Sequence, residues 1–105
     1  MDDKILEKME IARKKDPRIL MSISDKIVKL QEEVGEIAAA HLKEIGFKSR
    51  FGKTLEEVRN NKKEEYADTL LVIYDIILSD GFTFDEIKEE LHRGIDKWYD
   101  KVSKI

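Results

Sequence analysis

Hydrophobic positions recur every three to four residues along most of the chain, which is the spacing of one face of an α-helix. The first such pattern predicts a helix from about Asp2 to Lys15. Asp16-Pro17 ends it, because proline moves the preceding residue out of the helical conformation. A second, longer helix is predicted to follow and to end near Gly46, where a left-handed glycine closes many helices. Its apolar positions are Ile19, Ile23, Ile27, Leu30, Val34, Ile37 and Leu42.

The segment after this helix, residues 47–53, has no hydrophobic period and is predicted to be a loop. Thr54 and Glu57 have the spacing of a capping box and predict a short helical piece over Leu55 to Arg59. The pair Asn60–Asn61 then predicts the cap of a third helix, over about Lys62 to Ser79.

The third predicted helix is apolar around its whole circumference. Asp80-Gly81 ends it, and its apolar residues are Leu70, Leu71, Val72, Ile73, Tyr74, Ile76, Ile77 and Leu78. A helix that is apolar on every side has to be buried on every side. Three neighbouring helices in a chain of 105 residues enclose it poorly. We therefore expect a homodimer or homotetramer to complete the core, the alternative being the central helix of a monomeric bundle.

A fourth helix is predicted from the capping box of Thr83 and Glu86 to about Val102. Its apolar positions are Ile87, Leu91, Ile95 and Trp98. The predicted fold is all-α, an antiparallel four-helix bundle-like single domain over residues 1–105.

Charged side chains make up 41% of the chain, and 20 basic against 23 acidic residues leave a net charge of −3. This balance argues against a nucleic-acid partner, which favours a basic excess. The chain has no cysteine, which excludes disulfides and thiolate metal sites. No apolar run approaches the ~20 residues of a membrane span. The charged N-terminus lacks the apolar core of a signal peptide, so we expect a cytoplasmic protein.

Two pairs of acids stand out, Glu33 with Glu36 on the second helix and Glu65 with Asp68 on the third. Residues three apart lie on the same side of a helix, so each pair projects two carboxylates from one patch. Spacing alone is weak evidence, because a chain with 23 acids contains several such pairs by chance.

The position of these acids is more informative than their spacing. Glu33 lies between Leu30 and Ile37 of the apolar stripe, and Asp68 lies one turn before the wholly apolar segment that Leu71 belongs to. Antiparallel packing of the two helices would bring four carboxylates together, which raises their pKa values by like-charge repulsion. A hard divalent cation removes this repulsion, and oxygen ligands suit Mg²⁺ or Mn²⁺.

Two segments, KLQEEVGEIAAA (Lys29–Ala40) and KKEEYADTLLVIYDIIL (Lys62–Leu78), resemble the MazG-like all-α NTP pyrophosphatase superfamily. The signature of that family is Glu-Glu-x-x-Glu, a variable gap, and Glu-x-x-Asp leading into an apolar helix. The matching residues are Glu32, Glu33, Glu36, Glu65 and Asp68. The resemblance extends over roughly Ile23 to Lys101. The gap of 28 residues between the motifs is at the long end for the family.

The resemblance implies a MazG-type fold and a Mg²⁺-dependent hydrolase that splits a nucleoside triphosphate into a monophosphate and pyrophosphate. The implied metal ligands are Glu33, Glu36, Glu65 and Asp68. The implied catalytic residues are Glu33, through the metal, and Glu32, as a general base or a support for the ligands. A solvent-exposed helix acid explains Glu32 equally well.

The resemblance also implies substrate contacts, each with a simpler alternative. Lys97 and Lys101, four apart beside Trp98, correspond to a basic pair that contacts phosphates in the family, although lysine lacks the bidentate fork of arginine. They are otherwise solvated lysines. Phe47 corresponds to an aromatic that stacks on the base, or it anchors the loop. Asp75, an acid in the most apolar helix, needs a partner; it lines the nucleotide pocket or bonds to a neighbouring tyrosine or lysine.

Three functions remain open at this point. The first is house-cleaning of non-canonical or excess (d)NTPs. The second is phosphoribosyl-ATP pyrophosphohydrolase, a relative with similar acidic helices. The third is a non-catalytic helical module that dimerises or binds a nucleotide without turnover and does not require clustered acids.

Overall fold

The computed structural model describes residues 3–105, so the predicted helix start at Asp2 lies outside the described residues. Over the described residues the chain is all-helical and contains no strand, which confirms the predicted fold class. The helices are α1 (Asp3–Lys15), α2 (Ile23–Glu44), α3 (Leu55–Ser79) and α4 (Phe84–Ser103), with a 3₁₀ turn at Pro17–Leu20.

The chain turns after α1 at the predicted Asp16-Pro17 break, but the next helix begins later than its apolar pattern predicts. The carboxylate of Asp16 accepts a hydrogen bond from the backbone of Arg18 and holds Pro17–Leu20 in a 3₁₀ turn. α2 begins only at Ile23, because the Ser22 side chain caps its first turn. Apolar spacing cannot separate these two arrangements, since a 3₁₀ turn also places residues three apart on one side.

The third predicted helix and the short piece before it are one helix, so the predicted break at Asn60–Asn61 is wrong. Both halves of the predicted capping box form: Thr54 Oγ1 accepts from the Glu57 amide at 3.1 Å, and the Thr54 amide donates to Glu57 Oε1 at 3.2 Å. Val58, in the first turn after this cap, is 2% exposed. An asparagine inside a helix costs only a few tenths of a kcal/mol, so burial of the preceding turn outweighs it.

The predicted helix ends and the last cap are confirmed. Gly46 follows α2 with φ of +80° and Gly81 follows α3 with φ of +89°, both in the left-handed region that favours glycine. Thr83 and Glu86 form the second capping box, and α4 continues to Ser103. Of the described helices, none is both long and apolar enough to cross a membrane.

The centre of the structure is the pair of α2 and α3. They run antiparallel, because Glu44 at the end of α2 meets Lys62 near the start of α3, and Lys26 near the start of α2 meets Asp75 near the end of α3. Among the described residues the fully buried hydrophobic side chains are Ala40 on α2 and Val58 on α3. α4 meets α3 at its start, where the Phe84 and Tyr74 rings pack edge to face at 5.1 Å. The radius of gyration is 17.0 Å, whereas a compact domain of this length has about 13 Å. The single chain is therefore an open arrangement around a helical hairpin.

An ion-pair cluster closes the loop end of this hairpin. Glu44, at the end of α2, binds Lys62 Nζ at 2.7 Å and also binds Arg59, both from α3. Arg50 in the loop donates to the carbonyl oxygens of Lys43 and Glu44 at 2.9 and 2.8 Å, so it caps α2. The hydrogen bond from Lys62, followed by that from Arg59, lowers the pKa of the Glu44 carboxyl to about 2.

Glu44→Gln should therefore lower the melting temperature at neutral pH and matter progressively less in acid. A lowered folded-state pKa adds stability that is complete above the usual value of 4.5 and disappears as the pH falls through about 2. Thermal unfolding of both proteins at neutral pH and at about pH 3 checks this. Glu89→Gln, on the exposed surface of α4, is the control. An equal difference at both pH values would contradict the assignment.

Candidate metal centre

The hairpin brings acids from both predicted pairs together. One carboxylate oxygen each from Glu33, Glu36 and Glu65 lie within 4.8 Å of one another. The predicted convergence is thus observed for three of the four acids. Asp68, one turn further along α3, is exposed and lines the adjoining cavity together with Glu33.

Two of these carboxylates have an oxygen that is buried without a hydrogen-bond partner in the described part of the chain. They are Glu33 Oε2 and Glu65 Oε2, and Glu33 as a whole is 7% exposed. A buried carboxylate oxygen without a donor is costly, and buried charges in proteins are normally paired or bind metals. The two orphaned oxygens therefore fit a cation between the helices.

The electrostatics of the cluster agree with this geometry. Burial raises the pKa of the Glu65 carboxyl, and the hydrogen bond to Glu36 and the negative charges of Glu36, Asp68 and Glu33 raise it further. Three carboxylates with no thiolate or imidazole form a hard oxygen donor set, which suits Mg²⁺, Mn²⁺ or Ca²⁺. The arrangement is equipped to hold a divalent cation that keeps open positions for water or an anionic ligand.

Lys29 is a neighbour of the cluster that the sequence motifs did not single out. Its Nζ lies 3.4 Å from Glu33 Oε1 and 3.4 Å from Glu32 Oε2. Glu32 itself is on the outer side of α2, with its side chain 61% exposed. The i, i+4 spacing of Lys29 and Glu33 was visible in the sequence, but such pairs are common on helices.

A cavity of about 460 Å³ adjoins the acids, between α1, the 3₁₀ turn, α2 and α3. This volume is within the range of small-molecule sites. Glu33 and Asp68 belong to its wall, so the cavity and the acidic cluster are continuous. Its apolar lining residues are Met9, Ala12, Ile19, Met21, Leu71 and Val72.

Asp75 lines this cavity and is paired, as an acid in the most apolar helix must be. Its Oδ1 accepts from Arg13 Nε at 2.7 Å, and its Oδ2 lies 2.9 Å from Lys26 Nζ. Lys26 is 4% exposed and also donates to Ser79 Oγ at 2.7 Å and to the Ile19 carbonyl at 3.3 Å. A lysine partner was one predicted alternative, whereas Arg13 was not foreseen. The sequence feature that could have identified Lys26 as this partner is its place among the apolar residues of α2, between Ile23 and Leu30.

The remaining predicted substrate residues lie outside this cavity. Lys97 and Lys101 are in the exposed second half of α4, where the neighbouring Trp98 is 69% exposed. Phe47 is 80% exposed in the loop after α2. The structure of the single chain does not bring these three side chains to the acids, and their contact with substrate stays a prediction.

Comparisons with known proteins leave the chain without an assigned family. No protein-family model matches it, and searches of curated proteins and of solved structures find no match either. The residues and geometry of the site are therefore what bears on its function.

Glu65→Gln should raise the melting temperature of the metal-free protein at neutral pH by a few degrees. A raised folded-state pKa means that ionised Glu65 destabilises the fold, with no penalty below the usual value of 4.5 and the full penalty above the raised value. The difference from the unmodified protein should therefore close as the pH falls towards 4.5. Thermal unfolding in a chelator at several pH values measures it.

The neighbouring exposed acid provides a matched control. Glu64→Gln removes the same charge one position away, outside the cluster, and should have little effect. A lower melting temperature of Glu65→Gln at neutral pH would mean that its negative charge stabilises the metal-free fold, contrary to the geometry.

Proposed function

We propose that the chain is a Mg²⁺-dependent nucleoside triphosphate pyrophosphohydrolase that releases a nucleoside monophosphate and pyrophosphate. The observation that supports it most is the pair of buried, unpartnered oxygens on Glu33 and Glu65 at the edge of a cavity of about 460 Å³. Both acids belong to the motifs that resemble the MazG-like family. In a nucleoside triphosphate, the anionic polyphosphate would bind a metal ion held by the carboxylates. The uncharged base would fit the partly apolar cavity beside them.

The residues that would hold the cation are Glu33, Glu36, Glu65 and Asp68. A bound divalent ion would neutralise phosphate oxygens and lower the pKa of a bound water, which makes that water a nucleophile at neutral pH. Glu33, Glu36 and Glu65 would hold it from two helices, α2 and α3. Asp68 is exposed beside them, available to complete the ligand set. On the resemblance alone we assign Glu32 as a general base or a support for the ligands; its Oε2 lies 3.4 Å from Lys29 Nζ, which also contacts Glu33.

We further propose a MazG-type bundle whose core is completed by other copies of the chain, as a homodimer or homotetramer. The radius of gyration of the single chain, 17.0 Å, and the half-exposed Leu70 and Leu71 on α3 support this. The apolar residues of α4 support it too: Leu91 is 58%, Ile95 55% and Trp98 69% exposed. In such an assembly Lys97 and Lys101 of one copy can serve a site in another.

The proposed biological role is house-cleaning of non-canonical or excess (d)NTPs, in the cytoplasm where these nucleotides are used. Phosphoribosyl-ATP is the alternative substrate, because it contains the same bond between the α- and β-phosphates. The non-catalytic module is the remaining alternative. The exposed apolar surfaces of α3 and α4 favour association of chains, which this module shares with the proposed enzyme.

Millimolar Mg²⁺ should raise the melting temperature, and the protein should release pyrophosphate from at least one member of a panel of NTPs, dNTPs and phosphoribosyl-ATP. Glu36→Gln should abolish both effects, because it removes a ligand and a negative charge from the cluster. Thermal unfolding and a pyrophosphate assay measure them. Glu89→Gln on the surface of α4 is the control.

The outcomes separate the three functions. Turnover of phosphoribosyl-ATP alone would favour the phosphoribosyl-ATP pyrophosphohydrolase. An absent Mg²⁺ effect together with no pyrophosphate from any substrate would refute the enzymatic proposal and leave the binding module.

A further inference from the structure

Four cations line the cavity beside the acidic cluster, and three of them are firmly held. Arg13 donates to Asp75 and Ser79 at 2.7 and 2.8 Å. The ammonium group of Lys26 donates to Ser79 Oγ at 2.7 Å and to the Ile19 carbonyl at 3.3 Å, and it forms an ion pair with Asp75 at 2.9 Å. Arg18 is held by both oxygens of Asp16 at 2.7 to 3.1 Å. Arg13 and Lys26 are therefore committed to the fold, and Arg18, although 72% exposed, is chelated by Asp16 two residues away.

Lys29 is the fourth cation and is held differently. Its contacts to Glu32 and Glu33 are both 3.4 Å long, beyond the usual range for a strong charged hydrogen bond. Its side chain is 43% exposed and stands at the junction of the cavity and the cluster. A lysine stem is flexible, and its ammonium group exchanges partners without moving the backbone.

A metal ion in the cluster would compete with Lys29 for Glu33. Glu33 Oε1 faces Lys29, and Glu33 Oε2 is one of the two buried oxygens without a partner. A divalent cation bound by Glu33 repels an ammonium group only a few ångströms away. At the same time, a polyphosphate entering the site approaches several carboxylates and needs more positive charge than one divalent ion supplies.

We propose that Lys29 is a mobile counter-ion: it neutralises Glu33 in the metal-free protein and binds the substrate's polyphosphate once a divalent cation has taken Glu33. This inference rests on the proposed function for its substrate, and it adds a phosphate-binding residue that the two acidic motifs do not contain. Lys29 pairs with Glu33 or with phosphate through its ammonium group, and the metal ligands are those already assigned.

One variant, Lys29→Met, should strengthen Mg²⁺ binding and weaken nucleotide binding. Lys29→Met keeps the length of the stem but removes the charge. The midpoint of a Mg²⁺ titration followed by calorimetry without nucleotide should fall roughly two- to fivefold, because the metal no longer competes with an ammonium group. The KM for the best NTP should rise by roughly tenfold or more, because a charged hydrogen bond to phosphate is lost.

Two further variants make the experiment specific. Lys29→Arg restores the charge and should restore most of the affinity for nucleotide. Lys63→Met removes an exposed lysine of α3 that does not line the cavity, and it controls for net charge. It should leave both the Mg²⁺ midpoint and the KM within about twofold of the unmodified protein.

Each result decides the proposal. Weaker Mg²⁺ binding by Lys29→Met, or an unchanged KM, would overturn it, since a purely structural lysine changes both affinities in the same direction and a pure counter-ion changes only the metal midpoint. If the unmodified protein turns over an NTP and Lys29→Met does so with the same KM, this inference fails while the proposed function stands. If the unmodified protein shows neither a Mg²⁺ shift nor turnover, both fail.

Discussion

The packing of α2 against α3 forces like charges together, and much of the structure follows from this. The two helices run antiparallel along their length, so acids spaced for one face of each helix meet, with Glu33, Glu36 and Glu65 within 4.8 Å. The same packing buries an oxygen of Glu33 and one of Glu65 without a donor. Folding of the hairpin thus creates a concentration of negative charge that only protons or cations relieve.

The basic residues around the cavity differ in how tightly they are held. Lys26 is buried and held by two hydrogen bonds and an ion pair with Asp75, which also binds Arg13 and so ties α1 to α3. Lys29, by contrast, is loosely held beside Glu33. The cavity therefore has one end where Arg13 and Lys26 pair with Asp75, and an acidic end with an adaptable cation. An anionic ligand can approach the acidic end only if a cation lies between it and the carboxylates.

The open shape of the single chain has a simple physical origin. Burial of apolar surface is the main favourable term in folding, and a short chain buries a smaller fraction of its surface than a long one does. Among the described residues only Ala40 and Val58 are fully buried hydrophobic residues, whereas Leu91, Ile95 and Trp98 of α4 are more than half exposed. The hairpin with its acids is the best-packed part of the molecule. The outer apolar surfaces are where the proposed association would add burial.

The features determined by the sequence alone are local ones. The helical period, the capping boxes at Thr54 and Thr83 and the left-handed Gly46 and Gly81 depend on residues within a turn or two, so the four helices and both acid pairs could be predicted. The tertiary structure alone decided that α3 runs through Asn60–Asn61. It also decided that Asp75 meets Arg13, 62 positions away, and that Lys29 stands at the edge of the acids while Lys97 and Lys101 do not. These outcomes depend on how whole helices rotate and pack, and no local pattern in the chain encodes the rotation of one helix against another.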